Sequence, residues 1–286
     1  MSVAVADARR VARDIARRHD ENFPVAFLLL PRDLRADMRA VYAFCRTVDN
    51  LGDAWTGDRS VALDEFELDL HRCWEGTPDD PRLRALAVTV RRHAMDPDPF
   101  LRLLDANRID QRQGRWATYT DLIDYCHHSA TPVGEMVLAV LGHRDAERIA
   151  LSDHTCIGLQ LVNFWQDISR DLADNNRIYL PAEDMERFGV TEADLARPGA
   201  NEATRALVAF QVARARAELV AGAPLAGRVT WRARPDLRMF TAGGLALCDA
   251  IARQGYDTLA HRPAPGKLGR ARIALDVILG LLRRSR

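Results

Sequence analysis

Apolar residues recur at spacings of three and four along almost the whole of this chain. That period places them on one face of an α-helix. A sheet would instead show a series of alternating β-branched stretches bounded by hairpin turns, and the sequence has no such series. The sequence therefore predicts an all-α protein.

Short breaks rich in proline, glycine and aspartate separate the helical stretches, among them TGDRS, EGTPDDP, MDPDP, ARPGANE and RPAPGK. Each break is too short to be a linker between domains, and no repeat of fixed period occurs. A chain of 286 residues can bury one large core. We therefore expect a single helical domain spanning residues 1–286.

Charge and cysteine usage narrow the class of protein. The 40 basic and 40 acidic side chains balance, so the chain lacks the general attraction to nucleic acid that a basic protein has. The five cysteines are scattered, without metal-ligand spacing, as is typical of a reducing compartment. Arginines interrupt the N-terminal region where a signal peptide would be apolar, and runs such as VAFLLL are too short to span a bilayer. These features predict a cytoplasmic protein that does not bind nucleic acid.

The first predicted helix of interest begins at Pro31 and ends in two carboxylates. Its expected inner stripe consists of Leu34, Met38, Tyr42 and Cys45, followed by Asp49 and Asp53. Residues four apart share a helical face, so the two aspartates should continue the line that faces the interior. An unpaired buried carboxylate is costly, and we therefore expect a cation to meet them.

A second predicted helix, over residues 151–172, repeats this arrangement. A polar stripe on it consists of Gln160, Asn163, Asp167 and Asp171, at steps of three, four and four. The adjoining face is apolar and should pack in the core; it consists of Ile157, Leu161, Phe164, Trp165 and Ile168.

A single DxxxD motif on a helix is usually a solvated face with salt bridges. Two such motifs, each beside an apolar face and each with an arginine nearby (Arg46 and Arg170), favour a common site instead. Ligands that are all oxygen select hard cations, and Mg²⁺ usually binds a few carboxylates together with substrate phosphates. The pattern therefore predicts a helical cavity in which Mg²⁺ holds a diphosphate and neutralises it as it leaves.

Three segments resemble the squalene/phytoene synthase family of class I isoprenoid synthases: VYAFCRTVDNLGD, DYCHHSATPVGEMVLAVLG and LQLVNFWQDISRDLADNNRIYLP. They occur in the family's order. The resemblance implies the class I isoprenoid synthase helical fold with a central cavity. ENFPV, SATPVG and NFWQD are most similar to the hopanoid-pathway branch, the hydroxysqualene synthases.

The resemblance also implies roles for individual residues. The Mg²⁺ ligands would be Asp49, Asp53, Asn163, Asp167 and Asp171. Tyr125 matches a tyrosine implicated in proton or cation handling, and it joins the four aspartates as a predicted catalytic residue. The predicted substrate-binding residues are Asn22, Tyr42, Arg46, Gln160, Asn163, Gln166, Arg177, Tyr256 and Lys267.

Departures from the family pattern bear on the substrate. Asp20 and Glu21 follow His19 where many relatives have hydroxyl side chains, and Gln166 stands where condensing members often have arginine. Both changes disfavour holding two farnesyl diphosphates. We therefore expect conversion of presqualene diphosphate and water to hydroxysqualene and diphosphate, in bacterial hopanoid biosynthesis, with hand-over from and to neighbouring pathway enzymes.

Three alternatives remain open. The chain could condense two prenyl diphosphates to presqualene diphosphate, squalene or phytoene; it could be a class I terpene cyclase, although QDISRD lacks the usual second metal motif; or it could be a helical assembly factor of the same family. Residues 268–286 are predicted to form a basic amphipathic helix. Such a helix suits either peripheral contact with anionic lipid at the inner face of the membrane or an ordinary terminal position.

Overall fold

The computed structural model describes residue 27 and residues 29–266. Within that part of the chain every extended regular element is a helix, and the β structure is one isolated parallel bridge between Arg115 and Ile178. The all-α prediction is confirmed. None of the described helices is long and apolar enough to cross a membrane.

The helices follow one another in this order: α1 Arg32–Asp53, α2 Arg59–Glu75, α3 Pro81–His93, α4 Asp98–Arg112, α5 Tyr119–Ser129, α6 Thr131–Val140, α7 Ala146–Gln166, α8 Ile168–Asn175, α9 Ala182–Phe188, α10 Glu192–Leu195, α11 Glu202–Gly222 and α12 Arg234–Arg253. A 3₁₀ helix, Ala223–Gly227, follows α11 directly.

Four of the named breaks, TGDRS, EGTPDDP, MDPDP and ARPGANE, lie at helix ends, and side chains from three of them cap the helices that follow. Asp58 accepts hydrogen bonds from the backbone N–H groups of Ser60 and Val61 at the start of α2. Asp80 caps α3 in the same way, and Asn201 caps α11. Such caps satisfy N–H groups that a helix leaves without partners in its first turn. The polar breaks therefore determine where the helices begin.

The described chain forms two compact units. The first contains the described residues up to Arg112 together with His128–Ile149 and Val229–Ala233. The second contains Gln113–His127, Ala150–Arg228 and the described residues from Arg234 onward. The single domain expected over residues 1–286 stays a prediction.

In the first unit, α1 packs against α3, α4 and α6. The aromatic ring of Phe44 on α1 lies 6.1 Å from Phe66 on α2 and 5.2 Å from Phe100 on α4, measured between centroids. Ala40 and Ala43 meet Ala85 of α3 in a buried cluster, so small side chains let the two helices approach closely.

This close packing corrects the predicted orientation of α1. Its buried residues are Asp37, Met38, Ala40, Val41, Ala43, Phe44, Thr47, Val48, Leu51 and Gly52. Of the predicted inner stripe only Met38 is among them, and the helix begins at Arg32, one residue after Pro31. The prediction followed the large side chains, whereas alanines make the closest contact. The buried carboxylate of this helix is Asp37, which is held by Arg92 and His93, each 3.0 Å away.

In the second unit, α7 and α11 approach at Gly158. A Cβ atom added there would lie 2.8 Å from Leu219 Cγ and 2.9 Å from the Leu219 backbone nitrogen. Only glycine therefore fits this crossing without a shift of the helices. Ile157, Leu161, Phe164, Trp165 and Ile168 are all buried, which confirms the predicted core face.

Candidate active site

The first aspartate motif lies in the last turns of α1. Asp49 is partly exposed, with 44% of its side chain accessible, and Arg46 Nη1 lies 3.7 Å from its Oδ2. Asp53 is exposed. The expectation that these two carboxylates face the interior is wrong, because they lie beside the buried face of α1 and not on it. The expected nearby cation is confirmed for Asp49.

The end of α1 is fixed by packing against α4. A Cβ atom at Gly52 would lie 1.8 Å from Asn107 Oδ1, so the contact excludes a side chain. Gln111 donates a hydrogen bond to the Gly52 carbonyl at 2.9 Å, and Arg59 donates one to the Asp53 carbonyl at 3.0 Å. The backbone that carries the first motif is therefore anchored on both sides of Asp53.

The second motif lies at a break between two helices. The single helix predicted over residues 151–172 instead ends at Gln166 and resumes at Ile168, with Asp167 between them at φ −109° and ψ 15°. Backbone hydrogen bonds still join Asp167 to Asn163 (3.0 Å) and Asp171 to Asp167 (2.8 Å) across the break. The spacing of the motif is therefore helical, while Asp167 itself has a distorted backbone.

Arg262 binds both carboxylate oxygens of Asp167. Its Nε lies 2.5 Å from Oδ1 and its Nη2 lies 2.8 Å from Oδ2. The hydrogen bond to Asp167 raises the pKa of Arg262, and the charge of Asp171 contributes to the same increase. Sequence reasoning missed this residue. Almost every basic side chain in the sequence is an arginine, so nothing in the pattern distinguished Arg262.

Gln166 lies beside the pair of Arg262 and Asp167 and is only 1% exposed. Its Oε1 accepts a hydrogen bond from Arg262 at 2.9 Å, and its Nε2 donates one to the carbonyl of Pro263 at 2.5 Å. From the sequence alone, Gln166 is expected to remove the positive charge that condensing relatives carry just before the second motif. The structure shows that Arg262 restores that charge and that both ends of the glutamine amide bind the C-terminal segment.

Asn163, one turn before Asp167, has a buried Oδ1 without a hydrogen-bond partner among the described residues. A buried acceptor without a donor is unfavourable unless a ligand satisfies it. An amide oxygen next to carboxylates is a suitable ligand for a hard cation. This atom therefore fits the predicted metal-ligand role of Asn163. Gln160 lies on the same helix and is partly exposed.

Tyr125 belongs to a buried aromatic cluster with Trp116, Phe164 and Tyr179. The rings of Phe164 and Tyr179 stack with centroids 3.8 Å apart, and Tyr125 lies 5.8 Å from Tyr179. Trp116 stacks on Tyr179 at 4.6 Å. The cluster fixes the ring of Tyr125 against α7. The expectation that Phe164 and Trp165 are core residues is confirmed, and Tyr179 was not anticipated.

Arg177 follows α8 and is buried. Its backbone N–H donates to the carbonyl of Asp171 at 3.0 Å, after a left-handed turn at Asn176. Arg115 binds the Asn176 carbonyl at 2.6 Å. This turn therefore attaches Arg177 directly to the backbone of the second motif.

Tyr256 has a left-handed backbone (φ 60°), next to Gly255 (φ 62°). The following residue, Asp257, accepts from the backbone N–H of Ala200 at 3.0 Å and forms an ion pair with Arg205 at 2.7 Å. Although burial opposes it, these partners hold the pKa of Asp257 below its ordinary value. The segment that leads to Arg262 is therefore anchored at its start.

Tyr42 and Arg46 are partly exposed on α1, in the first unit with Asp49 and Asp53, whereas Asp167 and Asp171 belong to the second unit. Asn22, Lys267 and the helix predicted over residues 268–286 lie outside the described residues. The roles assigned to all these residues stay predictions. The described residues contain no group of three or more His, Cys, Asp or Glu side chains placed to hold a metal ion by themselves.

Comparison with known proteins places these features in a family. Residues 16–270 match the sequence model of the squalene/phytoene synthase family. The 15-cis-phytoene synthase of Synechococcus elongatus is 32% identical over 227 residues, which cover 74% of this chain and 73% of the relative. The hydroxysqualene synthase of Zymomonas mobilis is 36% identical over 184 residues, which cover 62% of this chain and 60% of the relative.

Two solved structures extend the similarity to the fold. The squalene synthase HpnC from Alicyclobacillus acidocaldarius superposes with a TM-score of 0.84 at 44% identity, covering 90% of this chain and 97% of that one. A dehydrosqualene synthase in complex with a ligand superposes with a TM-score of 0.88 at 27% identity, covering 98% of both chains.

Proposed function

Because the chain belongs to the squalene/phytoene synthase family of isoprenoid-biosynthesis enzymes, we propose that it converts presqualene diphosphate and water to hydroxysqualene and diphosphate. The observation that carries this proposal is the match to hydroxysqualene synthases of two bacteria, at 36% and 34% identity. The squalene synthase HpnC, at 44% identity over 90% of the chain, supports a C30 product. The reaction would serve hopanoid biosynthesis.

Gln166 does not by itself decide how many diphosphates the site holds. Its amide is buried and is used by Arg262 and Pro263, so it offers no additional charge to a second diphosphate. Arg262 does bring a positive charge to this place, but that charge is paired with Asp167. Charge at this position therefore does not separate the two substrates.

The proposed cofactor is Mg²⁺, and its proposed ligands are Asp49 and Asp53 in the first unit and Asn163, Asp167 and Asp171 in the second. These residues fit the ion because their donor atoms are all oxygen and Asn163 Oδ1 is buried without a partner among the described residues. When bound, Mg²⁺ neutralises the charge that develops on the leaving diphosphate. Each motif would provide only a few protein ligands to the ion. Coordination positions would therefore remain for phosphate oxygens, as is usual for Mg²⁺.

The chain's own side chains would position the substrate. Arg46, partly exposed beside Asp49, and Tyr42 on the same helix would bind the diphosphate. A guanidinium suits this task because its N–H groups match phosphate geometry. The aromatic cluster around Tyr125 provides a rigid apolar region beside α7. Such a region favours a hydrocarbon over water.

The specific alternative is head-to-head condensation of two prenyl diphosphates. It is favoured by the phytoene synthases, which match at 32% identity over as much as 90% of this chain. The two functions are tested by incubating purified protein and Mg²⁺ with presqualene diphosphate or farnesyl diphosphate in separate reactions. Hydroxysqualene from presqualene diphosphate, without NADPH, supports the proposal. Efficient formation of presqualene diphosphate from farnesyl diphosphate would move the assignment to the condensing alternative.

A further inference from the structure

Arg262 binds the carboxylate of Asp167, which is the group that a metal ion would need. One guanidinium contacts both oxygens of the carboxylate, at 2.5 and 2.8 Å. A cation cannot bind those same lone pairs while this bidentate contact persists. Metal binding at Asp167 must therefore compete with Arg262.

The pair is built so that it can open. The side chain of Arg262 is 45% exposed, so the guanidinium can leave without unpacking a core, whereas Asp167 is 18% exposed. Gln166 is almost completely buried and binds the carbonyl of Pro263. That second bond keeps the backbone of the segment beside α7 when the guanidinium moves away.

The net charge of the bound ligands determines when opening of the Arg262–Asp167 ion pair is favourable. A metal ion alone would replace one cation by another and leave the guanidinium near it without an anion. Metal together with diphosphate brings a net negative charge that can accept the displaced guanidinium. Opening should therefore be much easier when both bind together.

We propose that Arg262 is a placeholder for the metal at Asp167: it holds the carboxylate in the absence of ligands and is displaced when metal and diphosphate bind together. The inference rests on the proposed function, since it takes Asp167 to be a metal ligand. Arg262 then acts as a positioning residue that makes metal binding at the second motif depend on diphosphate. It also couples that binding to loosening of residues 259–263, which lose the contact of Arg262 with Asp167 but keep the bond between Gln166 and Pro263.

Mn²⁺ is a suitable probe because its binding can be followed directly by electron paramagnetic resonance. The full chain is titrated with Mn²⁺, with and without inorganic diphosphate, as wild type, Arg262→Gln and Arg262→Lys. The matched control is Arg216→Gln, which removes another partly exposed arginine–aspartate pair of the same unit, 2.5 Å long, between Arg216 and Asp249. Circular dichroism establishes that each variant is folded.

The wild type should bind Mn²⁺ weakly alone and more tightly with diphosphate. Arg262→Gln should bind Mn²⁺ alone about tenfold more tightly than wild type, as expected when a charge-assisted contact no longer competes, and its dependence on diphosphate should shrink. Lysine cannot make the bidentate contact, so Arg262→Lys should change in the same direction by less. Arg216→Gln should behave as wild type.

Hydrogen exchange gives an independent measurement. In the wild type, amides of residues 258–262 should exchange faster when Mn²⁺ and diphosphate are added together, and in Arg262→Gln they should already exchange faster without ligands.

Equal Mn²⁺ affinity of wild type and Arg262→Gln in the absence of diphosphate would overturn the placeholder role while leaving the metal site intact. If no variant binds Mn²⁺ even with diphosphate, the metal site of the proposed function fails, and the placeholder role fails with it.

Discussion

The two aspartate motifs have the same DxxxD spacing but very different surroundings. The first lies on the continuous helix α1, where Asp49 is 44% exposed and its neighbour Arg46 is 3.7 Å away. The second lies at the break between α7 and α8, where Arg262 contacts both oxygens of Asp167. A long, exposed ion pair contributes little, whereas a bidentate contact fixes geometry. The first motif is therefore the more exposed of the two, and the second is held by a bidentate contact with a cation.

The largest effects should come from removing either motif. Asp53→Ala and Asp167→Ala should each reduce kcat/KM for presqualene diphosphate by roughly 10² to 10³, because each is proposed to act through charge in the transition state. Steady-state kinetics with Mg²⁺ measure this. Thermal unfolding should barely change for Asp53→Ala, since Asp53 is exposed. Wild-type activity of either variant would refute the metal role of that motif.

The helix contacts behind the motifs should differ in their tolerance of a methyl group. At Gly158 in the second unit the added Cβ meets backbone atoms of α11, whereas at Gly52 in the first it meets the Asn107 side chain. We expect Gly158→Ala to lower the free energy of unfolding by about 2–3 kcal/mol and Gly52→Ala by about 1–2 kcal/mol. Urea denaturation compares them. The opposite order would show that Asn107 yields less than α11 does.

The anchor before Arg262 should be sensitive to acid. Hydrogen bonds from Ala200 and Ala260, with Arg205, hold the pKa of Asp257 below its ordinary value of 3.8, against the effect of burial. A lowered pKa in the folded state means that the stabilisation is present above pH 3.8 and is lost as the pH falls through the folded value. Asp257→Asn should therefore be less stable than wild type at pH 6, and the difference should shrink below pH 3.8. A constant difference across that range would contradict the assignment.

The smallest effect on stability is expected at the first motif. Arg46→Gln should change the free energy of unfolding by less than about 0.5 kcal/mol, because its pair with Asp49 is long and partly exposed. Its KM for presqualene diphosphate should nevertheless rise, since Arg46 is proposed to bind the diphosphate. Arg197→Gln is the matched control, because Arg197 forms a similar 3.4 Å pair with Asp194 at an exposed position. Equal KM values for the two variants would remove Arg46 from the site.

Much of the fold was predictable because it follows local rules. The helical period and the polar breaks are properties of short stretches, and the caps Asp58 and Asn201 lie within those breaks. The orientation of α1 was not predictable in this way. It depends on how closely Ala40 and Ala43 approach Ala85, a contact between distant parts of the chain.

In the site, too, local features were predictable from the sequence and contacts between distant residues were not. The spacing of Asp167 and Asp171 was visible in the sequence, whereas the break at Asp167 and its contact with Arg262 were not, because that contact joins residues 95 positions apart. Gln166 was recognised as a departure from the family, but its partners could not be inferred. Residue type identified the chemistry, and tertiary structure determined which atoms are paired.

The most direct test of the proposed reaction uses presqualene diphosphate and Mg²⁺ in H₂¹⁸O, without NADPH. We expect a hydroxylated C30 product that carries one solvent oxygen, no product when EDTA removes the metal, and little product from farnesyl diphosphate alone. Hydroxysqualene without the label, or squalene formed only when NADPH is added, would contradict the proposed reaction.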